Sequence, residues 1–276
     1  MGTTSQNLIG DLKNNTTHNM AAYRATISQL FRICMEVMTF ARAMNTMVYE
    51  MELLAMNGVV HAAKVSDGQG KPLLALGEIL SDLPSKITPE VRELESWCAQ
   101  VAKNTAKCSD LGRHHYQQTC CLVAGICRYA EESQLANCED LTRLNLTRSA
   151  DITTLMKNSL FDTVPSLPRG NMNFLANRCR SNSAEITQLL KHSAQCLGKG
   201  KVSAENIKAI GTTARYLALY ICIEAAYLSD KQASFNNLAK TITETIDQLD
   251  EQFKSMTDIL LEGELVLQQL THEAHV

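Results

Sequence analysis

The chain is poor in aromatic residues, at 5% of its 276 positions, and holds only five prolines. With so few aromatic β-formers and so many Ala, Leu, Met, Gln and Thr, a sheet-rich fold is disfavoured and an all-α protein is predicted. No run of Lys or Arg stands out, and the net charge is −3, which argues against nucleic acid as a partner. The most apolar stretch, YLALYICIEAAYL, is too short to span a bilayer and contains Glu224, so no membrane insertion is expected. No charged-then-apolar segment opens the chain, which leads to the expectation of a soluble, cytoplasmic protein. A Gly-rich phosphate loop, a GxSxG elbow, a zincin motif and a convincing carboxylate pair are all lacking, so no enzymatic activity is expected.

Cysteine is plentiful, with ten in the chain, but no CxxC spacing occurs, and reduced thiols are the natural reading. Cys120, Cys121 and Cys127 lie in TCCLVAGIC, one to two helical turns after His114 and His115. A metal or haem site there is the alternative to small core residues. It feeds a second functional reading, a cytosolic sensor holding a small molecule, haem or metal inside a helical bundle. The first reading requires no cofactor.

Two interleaved seven-residue series dominate the first quarter of the chain. Ile27, Cys34, Ala41, Val48, Ala55 and Ala62 form one, and Leu30, Val37, Met44, Met51, Gly58 and Val65 the other. Such a pattern predicts a helix that packs along its length. A second seam runs from Phe235, Ile242, Leu249 and Met256 to Leu270, alternating with Ala239, Ile246, Phe253, Leu260 and Leu267. Between Val65 and Pro72 the apolar pattern stops and restarts, so Asp67 to Lys71 reads as a tight turn between antiparallel helices.

Punctuation in the sequence predicts further breaks. Pro84 and Thr88-Pro89 suggest a helix end followed by a new helix, with Thr88 as N-cap. Further helices are expected over about 113–135 and 139–160. Gly198 to Gly200 suggests another break, with Ser203 capping the next helix. The resulting organisation is a flexible arm over 1–18, a first hairpin plus connecting helices over 19–160, a linker over 161–171 and a second hairpin over 172–276.

The two halves share a repeat. A shift of 163 residues places Leu54–Gln69 on Leu217–Gln232, with identities at Leu54/Leu217, Ala55/Ala218, Ala62/Ala225, Ala63/Ala226, Ser66/Ser229, Asp67/Asp230 and Gln69/Gln232. Each copy ends in the same S-D-x-Q turn before a returning helix.

At these residues the chain resembles the cytoplasmic signalling hairpin of methyl-accepting chemotaxis proteins. The first copy keeps Leu53, Leu54, Ala55, Asn57, Ala62 and Ala63 of that pattern, with Lys64 where the family has Arg and Asp67 where it has Glu. The second keeps Leu217, Ala218, Leu219, Ile223, Glu224, Ala225, Ala226, Phe235 and Ala239, with Asp230 for that Glu. The resemblance covers about two dozen residues in each half. It implies a long antiparallel coiled-coil-like four-helix bundle of two tandem hairpins, with extra helices at the base; arms of about 40 residues would make it some 60 Å long. The single chain would be a pseudo-dimer, monomeric or assembled further through its tips. Its implied partners are signalling proteins, such as a chemotaxis coupling protein or a histidine kinase, contacted through Asn57, His61, Lys64, Asp67, Glu224, Tyr227 and Asp230. The chain departs from the family where a Glu and an Arg on the outer tip join dimers: His61 and Lys64 stand in one copy, Glu224 and Tyr227 in the other.

Overall fold

The structure, a computed structural model, describes residues 2–65, 70–133, 152, 169–228 and 232–275. The fold is all-α, and among the described residues no strand occurs. Four long helices, α1 (Gly2–Ala63), α2 (Lys71–Ser133), α3 (Arg169–Ala225) and α4 (Gln232–His275), pack as a four-helix bundle. None of them is long and apolar enough to cross a membrane.

Burial follows the heptads. On α1 both series are buried from Ile27 and Leu30 through to Gly58 and Ala62, and only Val65, beyond the helix end, is part-exposed. On α4 Phe235, Ala239, Ile242, Ile246, Leu249, Phe253, Met256, Leu260 and Leu267 are buried as the second seam requires. A helix of 62 residues draws its stability from this continuous apolar stripe, since intrinsic propensity alone is marginal.

Helix α1 begins at Gly2, which corrects the expected loose arm over 1–18. Thr16 and Met20 are buried, so packing reaches into that segment, and extending a formed helix costs far less than nucleating one. The expected breaks are also absent. Pro84 and Pro89 both lie inside α2, and Thr88, expected to cap a new helix, donates its hydroxyl to the carbonyl of Pro84 at 2.8 Å. Ser81 and Ser85 donate to the carbonyls of Gly77 and Asp82 in the same way. Each interior proline costs about 3 kcal/mol. Leu80, Leu83, Ile87, Val91 and Leu94 are buried through the same turns, and at about 1.5–3 kcal/mol per side chain they outweigh both. Likewise Gly198 and Gly200 lie within α3, and Ser203 is a buried interior residue rather than a cap. Helix α3 starts at Arg169, inside the expected linker; the expected helix over 139–160 and the rest of that linker lie outside the described residues, apart from residue 152.

The chain forms two compact units, each drawing on all four helices. The first comprises residues 1–32, 101–195 and 264–276. The second comprises 33–100 and 196–263.

In the second unit Val59 meets Gly77 and Asn45 meets Glu95, so α1 and α2 run antiparallel. Leu94 meets Gly200 and Glu90 meets Asn206, which sets α3 against α2. Gly211 meets Leu249 and Arg215 bonds Asp247 and Asp250, while Gly58 meets Leu238, which places α4 between α3 and α1. Helices α1 and α3 therefore stand at opposite corners of this unit. Their inward positions include many small residues, Cys34, Ala41, Ala55, Gly58 and Ala62 on α1 and Gly200, Ala204, Gly211, Ala214, Ala218 and Ala225 on α3, beside large ones such as Ile33, Met44 and Met51 on α1. Large residues of α2 and α4 fill the space between them, with Phe235 1% exposed beneath the turns.

The first unit has a different core. Its buried residues include Thr16, Asn104, Thr105, His115, Thr119, Ser183 and Ser193, whereas the second unit buries only Ser203 and Thr245 among its described polar residues. Asn104 donates to the Ser193 hydroxyl at 3.2 Å, and Ser193 donates to the Leu189 carbonyl. Satisfied polar contacts of this kind fix the register of neighbouring helices.

Continuity of α2 and α3 has a measurable consequence. Replacing exposed Pro89 by Ala should raise thermal stability by up to about 3 kcal/mol, because it restores an amide donor inside a helix. Gly198, where a Cβ would meet nothing within 4 Å, should gain about 0.5–1 kcal/mol on replacement by Ala. Thermal melts of both variants check this. A helix that started at Pro89 and a turn at Gly198 would make the two changes neutral or destabilising.

Candidate partner-binding surface around the two turns

Helices α1 and α3 end in the same way. Lys64 and Val65 donate their amides to the carbonyls of His61 and Ala62, and Tyr227 and Leu228 donate theirs to Glu224 and Ala225. These four bonds correspond one to one under the 163-residue shift, and each tightens the last turn so that the chain can reverse. At the first turn Gly70 lies against the end of α1: a Cβ there would stand 2.4 Å from the Ala62 carbonyl oxygen. No other residue fits at that point without moving backbone.

The burial pattern corresponds as well. Met51, Ala55, Gly58 and Ala62 are buried on α1, and Ala214, Ala218, Ile221 and Ala225 at the shifted positions on α3. On the returning helices the offset becomes 162, pairing Leu73 with Phe235, Gly77 with Ala239, Leu80 with Ile242, Ile87 with Leu249 and Leu94 with Met256. The second connection is thus one residue shorter than the first.

Of the residues singled out from sequence, Asn57, His61 and Lys64 are exposed on or just beyond the end of α1. The His61 ring meets the edge of Phe235 at 6.3 Å, joining α1 to the start of α4. Glu224 is half-buried on α3, and Tyr227 is 78% exposed. Asp67 and Asp230, with the S-D-x-Q turns that hold them, lie outside the described residues.

More prominent than these polar residues is a set the sequence reading passed over. Tyr49, Leu53, Met56 and Val60 form one exposed apolar stripe on α1, spaced i, i+4, i+7, i+11. Tyr216, Leu219, Tyr220, Ile223 and Tyr227 form another on α3. Three pairs, Leu53/Tyr216, Met56/Leu219 and Val60/Ile223, occupy shifted positions. Their helical spacing off the heptad seam is the signal that would have found them. Single scattered exposures of this kind are ordinary, whereas a stripe of them at helical spacing is not.

Charge distinguishes the two faces. Glu36, Arg42, Glu52 and His61 on α1 correspond to Lys199, Glu205, Arg215 and Glu224 on α3. Apolar character is shared, while the sign of the charge is inverted at the first three of these positions.

The His/Cys cluster on α2 does not form a site among the described residues. His114 is exposed and 3.9 Å from Asp110, His115 is buried, and Cys120 and Cys121 are exposed, while the side chain of Cys127 lies outside the described residues. No group of three or more His, Cys, Asp or Glu among the described residues is placed to hold a metal ion.

Among the described residues Cys34, Cys98, Cys108, Cys179 and Cys196 are buried, and Cys222 is part-exposed. Burial pushes the Cys34 thiol from the ordinary 9.0 up to about 12, and burial together with neighbouring Cys34, Cys196 and Glu95 does the same for Cys98. Cys108 is also pushed up to about 12 by burial. No known protein family, curated protein or solved structure matches the chain.

Two outcomes follow for these thiols. In the native protein a thiol reagent should label Cys120 and Cys121 first and leave Cys34, Cys98 and Cys108 unmodified until unfolding, as peptide mapping would read. A raised thiol pKa means that the unfolded chain loses its proton first, so stability is constant below about pH 9 and falls as pH rises toward 12. Thermal melts across that window should show a smaller decline for Cys98→Ala than for the native chain.

Proposed function

We propose that the protein is a non-enzymatic, chemoreceptor-like signalling or scaffold protein, a single-chain pseudo-dimer that presents the surface around its two turns to signalling proteins. The observation that carries this reading is the pair of exposed apolar stripes at shifted positions beside two turns with matching terminal hydrogen bonds. Repeated surface at repeated positions, on helices at opposite corners of one unit, is what a duplicated docking module would retain. The resemblance of both turns to the chemotaxis signalling hairpin supports a coupling protein or a histidine kinase as the partner class.

On this reading Met56, Val60, Leu219 and Ile223 are the apolar anchors. His61 and Lys64 on one face and Glu224 and Tyr227 on the other set which partner each accepts. An unequal pair of faces allows one chain to bridge two different proteins, a role that a symmetric receptor dimer fills with two identical faces. The setting is a soluble, cytoplasmic one.

Reconstitution with a purified chemotaxis coupling protein and its histidine kinase tests the reading. Co-sedimentation and kinase autophosphorylation should both respond to the native chain. Val60→Asp and Ile223→Asp, both at exposed sites, should each weaken capture on their own face by about tenfold or more, as loss of a central anchor does. Native chain that neither binds nor alters the kinase, or a double variant that behaves like the native chain, would sink the proposal.

A further inference from the structure

Apart from the turns, the first unit carries an open groove with exposed Arg24, Ser28, Ser109 and Arg113 along its rim. It has a volume of about 320 Å³ and lies between α1 and α2, within the usual range for small-molecule sites. Helix α1 supplies Tyr23, Arg24, Ile27 and Ser28, and α2 supplies Ser109 and Arg113. Among the described residues no carboxylate lines it.

Why the cavity exists is visible in the packing. Gly112 of α2 faces the Tyr23 ring, where a Cβ would stand 2.9 Å from ring carbon Cε1, so the ring lies directly on the helix backbone. With Gly112 and the two serines lining it, the groove between the helices remains open. Ile27 is buried and gives the groove an apolar floor, beside the Tyr23 ring.

Its polar groups are all donors or donor-capable. The Arg24 guanidinium lies 5.1 Å from the centre of the Tyr116 ring, a cation–π contact that orients it without neutralising its charge. Beside the groove, exposed Asp110 lies 3.9 Å from His114, and Lys107 pairs with Glu185 at 2.6 Å. Two arginine forks and two hydroxyls around one apolar floor match a phosphate monoester dianion, whose oxygens accept bidentate bonds and whose organic part needs an apolar wall.

We infer that the α1–α2 groove lined by Arg24, Ser28, Ser109 and Arg113 is a binding site for a small organic phosphate. Arg24 and Arg113 hold the phosphoryl oxygens, Ser28 and Ser109 donate to them, and the ester group rests on Ile27 and Tyr23. The site is independent of the surface around the turns, and its test stands apart from the kinase assay.

Calorimetric titration of the full chain with phenyl phosphate and with inorganic phosphate decides it. Phenyl phosphate should bind saturably and at least ~10-fold tighter than inorganic phosphate, because only the ester reaches the apolar floor. Arg24→Ala and Arg113→Ala should each weaken binding by ~10-fold or more, with unchanged circular dichroism. Lys103→Ala removes a charge on α2 outside the lining and should leave affinity unchanged. Absence of saturable heat with phenyl phosphate, or equal loss in Lys103→Ala and Arg113→Ala, would overturn the site in favour of diffuse surface charge. Binding to vesicles of phosphatidylcholine and phosphatidic acid without binding of phenyl phosphate would assign the arginines to a lipid surface and equally overturn it.

Discussion

Close approach of helix backbones is the constraint on which the rest of the second unit depends. Each contact pairs a residue with little or no side chain on one helix with a branched or aromatic one on its neighbour: Gly58 with Leu238, Gly77 with Val59, Gly200 with Leu94, Gly211 with Leu249, Gly263 with Leu197. An interior glycine weakens an isolated helix by about 1 kcal/mol relative to alanine. Here its missing side chain is the space into which the neighbour's leucine or valine fits. Interior packing tolerates neither a void nor an extra methyl group, so these pairings also hold the two turns at fixed positions relative to the core beneath them. Phe235, buried under both turns and edge-on to His61, ties the most exposed part of the unit to its interior.

How much of this could be read from sequence depends on the range of the signal. The two heptad seams were legible because burial with a seven-residue period is a local property, and both series on α1 are buried as the pattern demands. Prolines and glycines are also local signals, but they report the preference of an isolated helix. At Pro84, Pro89, Gly198 and Gly200 that preference is overridden by side chains from other helices, which no single-chain pattern displays. The apolar stripes around Met56 and Ile223 were present in the sequence yet were hidden by the stronger seam beside them. Arg24 and Arg113 could not have been paired from sequence, since only the fold brings them to one groove.

The two units differ in how their interiors are specified. Asn104, Ser193, Thr119 and their neighbours make the first unit's core partly polar, with hydrogen bonds that hold only in one register. The second unit relies on shape, with glycines on each helix set against large side chains of a neighbour. A core specified by hydrogen bonds holds only where donors meet acceptors, whereas one specified by close apolar fit holds only where side-chain volumes match. The groove with exposed Arg24 and Arg113 borders the first kind of core, and the exposed apolar stripes lie over the second.

The single residue by which the connections differ bears on how such a chain can change over evolutionary time. Within a helix, one inserted or deleted residue would rotate everything beyond it by about 100°, turning the buried stripe outward. Between Ala62 and Leu73, and between Ala225 and Phe235, the same change is absorbed, because the inward positions on the returning helices still fall on their partners. Such a molecule counts in sevens along its helices and keeps its remainder at the turns. Length variation is therefore channelled to the turns, so the part of the chain freest to vary in length is the part whose change leaves the buried stripes in place.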